Sequence, residues 1–123
     1  MVSPRHIMLI EDDLSIQGAV SLLLEREGFT VTCACNGKEA LRALDTGYAP
    51  ALILLDMVMP IMDGREFRMA QQLIPRLARI PVVIISATSS GELRAGLPPP
   101  SAVMAKPFDI DQLLAVIERH RLQ

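Results

Sequence analysis

Four apolar runs in this chain each stop on a residue able to do chemistry. Ile7-Met8-Leu9-Ile10 ends in Glu11-Asp12-Asp13, Ile53-Leu54-Leu55 in Asp56, Val82-Val83-Ile84-Ile85 in Ser86, and Ala102–Ala105 in Lys106. A short continuous apolar run reads as a strand covered on both faces. In a parallel sheet all such strands finish on one edge, the edge where open α/β sheets bind ligands. Residues scattered along the chain therefore converge. Three carboxylates gathered there would repel, and would raise one another's pKa values unless a cation sat among them. An open site of oxygen ligands with room for water suits Mg²⁺. Lys106 adds a second positive charge, so the set is prepared for an incoming phosphoryl group whose charge must be neutralised during transfer.

The elements that must position these residues can be read in order. Asp13 is placed to cap a helix over 14–27, with Ile16, Ala19, Val20, Leu23 and Leu24 at helical spacing and Gly28 as its stop. Thr30–Ala34 reads as a second strand, Asn36-Gly37 as a turn, and 38–45 as a short helix with Ala40, Leu41 and Leu44 inward, stopped by Gly47. The third strand, 51–55, carries Asp56 at its end. A helix over 65–73 starts after the cap and turn Asp63-Gly64, carries Phe67 and Ala70 on one side with Leu73 beyond, and stops before Pro75. A fourth strand follows Pro81. Gly91, Gly96 and Pro98-Pro99-Pro100 leave 89–100 room for two helical turns at most. After the fifth strand, Asp109 can cap a last helix with Ile110, Leu113, Leu114 and Ile117 in step. Strands alternating with helices argue for a parallel sheet with helices on both faces, joined by right-handed crossovers.

Composition excludes several classes. At 123 residues the chain makes one domain, 1–123, with a real core. A net charge of -2 gives no electrostatic footprint for nucleic acid or a membrane surface. Aromatics are 3% with no tryptophan, too few for a base-stacking platform. No apolar run is long enough to span a bilayer, and the start lacks a signal peptide's apolar core. Cys33 and Cys35 would share a strand face, but a bridge between them would be strained and two thiols do not make a metal site, so both read as buried, reduced core thiols of a cytoplasmic protein. His6 and His120 read as solvated. Met57, Met59 and Met62 fit two readings, core fillers or an adaptable partner surface.

Taken together, Ile10-Glu11-Asp12-Asp13, Leu55-Asp56-Met57-Val58-Met59-Pro60, Met62-Asp63-Gly64, Ser86-Ala87 and Lys106-Pro107-Phe108 resemble, in order and over essentially the whole chain, a receiver domain of the two-component response regulator family. The resemblance implies a flavodoxin-like fold with strand order 2-1-3-4-5 and the following roles. Asp56 accepts a phosphoryl group from a histidine kinase or histidine phosphotransfer protein. Asp12, Asp56 and the backbone carbonyl of Val58 bind Mg²⁺, with Glu11 acting mainly through water. Ser86 hydrogen-bonds the phosphoryl oxygen, Lys106 pairs with it, and the Lys106-Pro107 bond is cis. Such a protein is a switch that phosphorylates and dephosphorylates itself, not a turnover enzyme.

Two features depart from the family. The aromatic residue usual three positions before the lysine is Val103 here, so no ring can report a movement of Ser86. The fourth helix is shortened and proline-rich, which points output to another face or to an order–disorder change in 89–100. These departures favour a rival reading, a degenerate receiver that binds partners without phosphorylation; the intact Asp12, Asp56 and Lys106 oppose it. A hydrolase with an aspartyl nucleophile would need a second aspartate where Val58 stands, and a cap domain. With no room after Gln123 for a DNA-binding domain, the chain reads as a stand-alone receiver or one excised from a larger protein, and Met1-Val2-Ser3 as a true N-terminus.

Overall fold

The computed structural model describes residues 3–87 and 96–123. In chain order the elements are β1 (Ser3–Ile10), α1 (Leu14–Arg26), β2 (Thr30–Ala34), α2 (Gly37–Asp45), β3 (Pro50–Asp56), α3 (Gly64–Gln72), α4 (Pro75–Ala78), β4 (Val82–Ser86), β5 (Ala102–Ala105) and α5 (Ile110–His120). The five strands form one sheet in the order β2-β1-β3-β4-β5, every neighbouring pair parallel. From β1 the chain winds to β2 on one side, then returns past β1 to β3. The topological switch point therefore falls at the carboxyl ends of β1 and β3, which is where such sheets open a crevice.

Successive residues of a strand point to opposite faces, and that alternation splits the core in two. Met8, Ile10, Ile53, Leu55 and Ile84 pack with Ala40, Leu44, Phe67 and Leu77 beneath α2, α3 and α4. Ile7, Leu9, Leu52, Leu54, Val83 and Ile85 pack with Val20, Leu24, Leu113 and Ile117 beneath α1 and α5. Every residue of β3 is buried, so the strand that carries Asp56 is held on both sides.

Local chemistry sets the helix starts. Asp13 accepts from the amides of Ser15 and Ile16, while Asp63 and Asp109 each close a capping box with Glu66 and Gln112. Gly28 and Gly47 take positive φ just past α1 and α2, as chain stops require.

The structure corrects several expectations. β1 begins at Ser3, four residues before the apolar run, because its polar first half still pairs with β3 through Pro50. Asn36-Gly37 is a helix start rather than a turn: Asn36 caps α2 through the Glu39 amide, and Gly37 is already helical. Pro75 does end the preceding helix and then opens α4 at its first position, where its missing N–H costs nothing. Leu73, just past α3, is exposed rather than packed, and in α1 only Val20 and Leu24 are fully buried.

The thiols are not core residues. β2 is an edge strand that α1 covers incompletely, so Cys33 is exposed beside Ser21 Oγ and Cys35 is half-buried; both are free. His6 is half-buried, its ring 5.9 Å from that of Tyr48, and His120 is half-buried too. Of the methionines, Met57 and Met59 are core and Met62 packs against it. Most of the segment 89–100 falls on residues 88–95, outside the described residues.

Candidate functional site

Each rim residue is set by the strand it terminates. β1 ends at Ile10, and the next amide, Glu11, donates to the carbonyl of Ala34, so the acid is pinned between β1 and β2. Asp56 is the last residue of β3, in register with Ile85 of β4, and Ser86 is the next residue of that neighbouring strand. Ser86 pairs with Ala105 of β5, and its carbonyl accepts from the Lys106 amide at 2.8 Å. The strand ladder thus delivers two acids, a hydroxyl and an amine to one place. The Lys106-Pro107 bond is cis.

Carboxylate oxygens of Glu11, Asp12 and Asp56 lie within 4.8 Å of one another. Glu11, Asp56 and Ser86 are buried at 1%, 7% and 4% exposure, whereas Asp12 opens to solvent. Lys106 Nζ donates to Glu11 Oε1 at 2.5 Å and stands 3.9 Å from Asp56 Oδ2. Burial pushes the Glu11 carboxyl above the usual range, and the neighbouring Asp56 adds to the rise; Lys106 opposes it. The pocket therefore carries more negative charge than one amine relieves. A hard divalent cation fits that deficit and that oxygen-only donor set.

Two valines singled out in the sequence stand differently. The Val58 amide donates to Asp56 Oδ1 at 3.3 Å, which fixes one oxygen of the carboxylate; the Val58 side chain is exposed. Val103 sits on the edge strand β5, partly exposed, with no ring to turn.

Sequence reasoning missed two supports. A Cβ on Gly64 would stand 2.6 Å from Met57 Cα and 2.8 Å from the Asp56 carbonyl, so only glycine lets α3 begin hard against the end of β3. The Gly64 amide donates to the Met57 carbonyl and locks the approach. Gln17, on α1, donates through Nε2 to the carbonyls of Glu11 and Ala34 and reaches Cys35 Sγ, tying the acidic loop to the end of β2. A polar residue one turn beyond a cap was the available signal.

The fold is thus a flavodoxin-like α/β domain with an acidic, lysine-bearing pocket at its switch point. The family described as the response regulator receiver domain matches residues 7–118, and the chain belongs to it. Relatives include a probable transcriptional regulator, ycf29, of Porphyra purpurea, 33% identical over 115 residues, which are 92% of this chain and 54% of that protein. The response regulator Rre1 of Synechocystis is 32% identical over 120 residues, 95% of this chain and 52% of that protein. The chain therefore spans about half the length of the curated relatives it matches. Among solved structures, the chemotaxis protein CheY4 of Vibrio cholerae superposes with a TM-score of 0.85 at 25% identity, covering 96% of this chain and 99% of that one. The receiver domain of the Pseudomonas aeruginosa sensor histidine kinase PA1611, solved with a magnesium ion coordinated in its active-site cleft, gives 0.83 at 26% identity, covering 96% and 98%. Receiver domains bind Mg²⁺ at an acidic pocket, and Glu11, Asp12 and Asp56 form such a cluster here. Among the described residues no helix is long and apolar enough to cross a membrane.

Proposed function

We propose that this chain, as a single unit over 1–123, is a phospho-accepting receiver in which Asp56 takes a phosphoryl group from a phosphohistidine of a kinase or phosphotransfer protein in the cytoplasm. The observation that carries the reading is the cluster itself: three carboxylates within 4.8 Å of one another, with the Lys106 amine between two of them. An Asp56 oxygen attacks phosphorus, the P–N bond to the donor imidazole breaks, and a mixed anhydride forms while the imidazole takes up a proton. Val58 N–H steadies Oδ1, leaving Oδ2 on the Lys106 side. Lys106 and the Ser86 hydroxyl then meet the charge of the transferred group, in a pocket where burial makes each contact stronger than in water. Asp12, Asp56 and the Val58 carbonyl would hold Mg²⁺, with Glu11 at one remove, already engaged by Lys106; the ion would supply charge neutralisation for the transfer. Phosphorylation adds roughly -1.5 to -2 charge to the rim and shifts the equilibrium for partner binding.

The test is direct. Wild type incubated with a small phosphodonor and Mg²⁺ gains one phosphoryl group in mass, stable in acid and labile in base, and Asp56→Ala does not. No gain in wild type would instead support the degenerate receiver, the reading that Val103 favours.

A further inference from the structure

At the pole of the sheet opposite Asp56, the ends of α3, α4 and α5 surround the starts of β4 and β5 and leave a cavity of about 250 Å³. Arg68, Gln72, Arg79, Ser101 and His120 are among the residues that line it, and among the described residues no acidic one does. The chain as a whole is acidic, at net -2, so this one-signed wall does not reflect a generally basic surface.

Arg68 is the informative residue. It is only 4% exposed, yet among the described residues no carboxylate lies within ion-pair distance of it. Its Nη1 donates to Gln71 Oε1 at 3.0 Å and its Nη2 to the Pro98 carbonyl at 2.7 Å. Both acceptors are neutral. A buried charge without a counter-charge is costly, and charged side chains are rarely buried unless paired. Burial pulls the Arg68 guanidinium below its ordinary pKa, which registers the same deficit. Gln71 is itself fixed by donating to the carbonyls of Leu77 and Ile80, so the arginine is held in place in advance. A bare strut between α3 and the Pro98 carbonyl would explain the two hydrogen bonds. It would not explain Arg79 and His120 on the same wall.

We propose that this cavity binds a small oxyanion, a carboxylate or phosphate group, with Arg68 as its buried counter-charge and Arg79 and His120 at its rim. The volume is below that of a drug-sized ligand site, which fits a small anion with its waters rather than a large cofactor. β4 runs from this wall at Val82 to the rim at Ser86, a span of roughly 13 Å at the usual strand rise, so the site is separate from the acidic pocket.

The test is a titration of the full, ¹⁵N-labelled chain with sodium phosphate and, separately, with sodium succinate. Ionic strength is held with sodium chloride, and Mg²⁺ is left out so that phosphate is not recruited to the acidic rim. The expected result is saturable shifts of the Arg68, Ile80, Val82 and Ser101 amides with Asp56 and Lys106 unmoved, and about tenfold weaker binding in the double variant Arg79→Gln, His120→Gln. Arg68→Gln abolishes the binding if it folds; if it does not, the rim variant decides. A response to one salt alone identifies the anion as phosphate or carboxylate. Shifts that are absent, that rise linearly without saturation, that appear only at the Asp56 edge, or that persist unchanged in the double variant overturn the proposal.

Discussion

Lys106 Nζ donates to Glu11 Oε1 at 2.5 Å but stands 3.9 Å from Asp56 Oδ2. The amine leans on the acid that is not the proposed acceptor. Asp56 therefore keeps an oxygen facing the pocket, while Glu11, the more deeply buried of the pair, receives the cation that its burial demands.

A consequence follows for Lys106→Met. The pocket loses a positive charge that competes with a divalent ion for the same carboxylates. Mg²⁺ binding, measured by titration calorimetry, is expected to tighten on the order of tenfold. Phosphorylation of Asp56 moves the other way, falling by about tenfold or more, because the transferred group loses its cation. Unchanged Mg²⁺ affinity would mean that the amine and the metal do not share the carboxylates.

Glu11 makes the pocket's response to pH opposite with and without metal. Its folded-state pKa lies above the ordinary 4.5, chiefly through burial, with Asp56 adding to it. A raised carboxyl pKa means the fold favours the protonated form. Its contribution to stability is full below the unfolded value and is lost as pH rises through the folded one. The urea midpoint of metal-free wild type, relative to Glu11→Gln, is thus expected to fall as pH climbs from 4.5 into the range above it. Mg²⁺ favours the ionised form, so its affinity climbs over the same range, by up to about tenfold per pH unit. A wild-type and variant pair whose stabilities ran parallel across that window would remove the argument.

How much of this was legible in the letters depends on what kind of fact is asked for. The rim residues could be read because each terminates an apolar run, and a parallel sheet brings all such ends together. The supports could not, because they are distances rather than patterns. Nothing in Asp63-Gly64 says that a Cβ there would meet the backbone at the end of β3, and nothing in Gln17 says that its amide would bridge two loops. The cysteines fail for a related reason. Strand alternation tells which face Cys33 and Cys35 share, but not how far α1 reaches over an edge strand. Likewise the first half of β1 has no strand-like pattern; Arg5 is held there by stacking 4.0 Å over the Phe29 ring and by its pairing with Glu118, contacts made only in the folded chain.

Gly64→Ala tests the closeness of α3 to the acceptor. The added methyl would meet Met57 Cα at 2.6 Å and the Asp56 carbonyl at 2.8 Å, and backbone cannot turn aside as a flexible side chain can. Moving α3 away also strains the hydrogen bond that the Gly64 amide donates to the Met57 carbonyl. The variant is expected to lose about 3 kcal/mol in urea unfolding. Its phosphorylation should slow as well, since the strand end that carries Asp56 must shift. A loss below about 0.5 kcal/mol would show that the helix start yields freely.

Ile61 offers the opposite case, a position where glycine should be better. Its φ is 68°, in the left-handed region, and its side chain is 76% exposed. A β-branched residue is a poor occupant of that region, where Cβ crowds the following carbonyl at a cost of roughly 1–2 kcal/mol. So little of the side chain is buried that packing returns little of this. Ile61→Gly removes the crowding but gives the unfolded chain more freedom, which offsets part of the gain. The net expectation is a variant more stable by about 1 kcal/mol in urea unfolding. Phosphorylation by a small donor should be unchanged, because that donor is too small to need the exposed apolar side chain. If Ile61→Gly proves less stable than wild type, the isoleucine is held in that conformation by contacts that outweigh its strain.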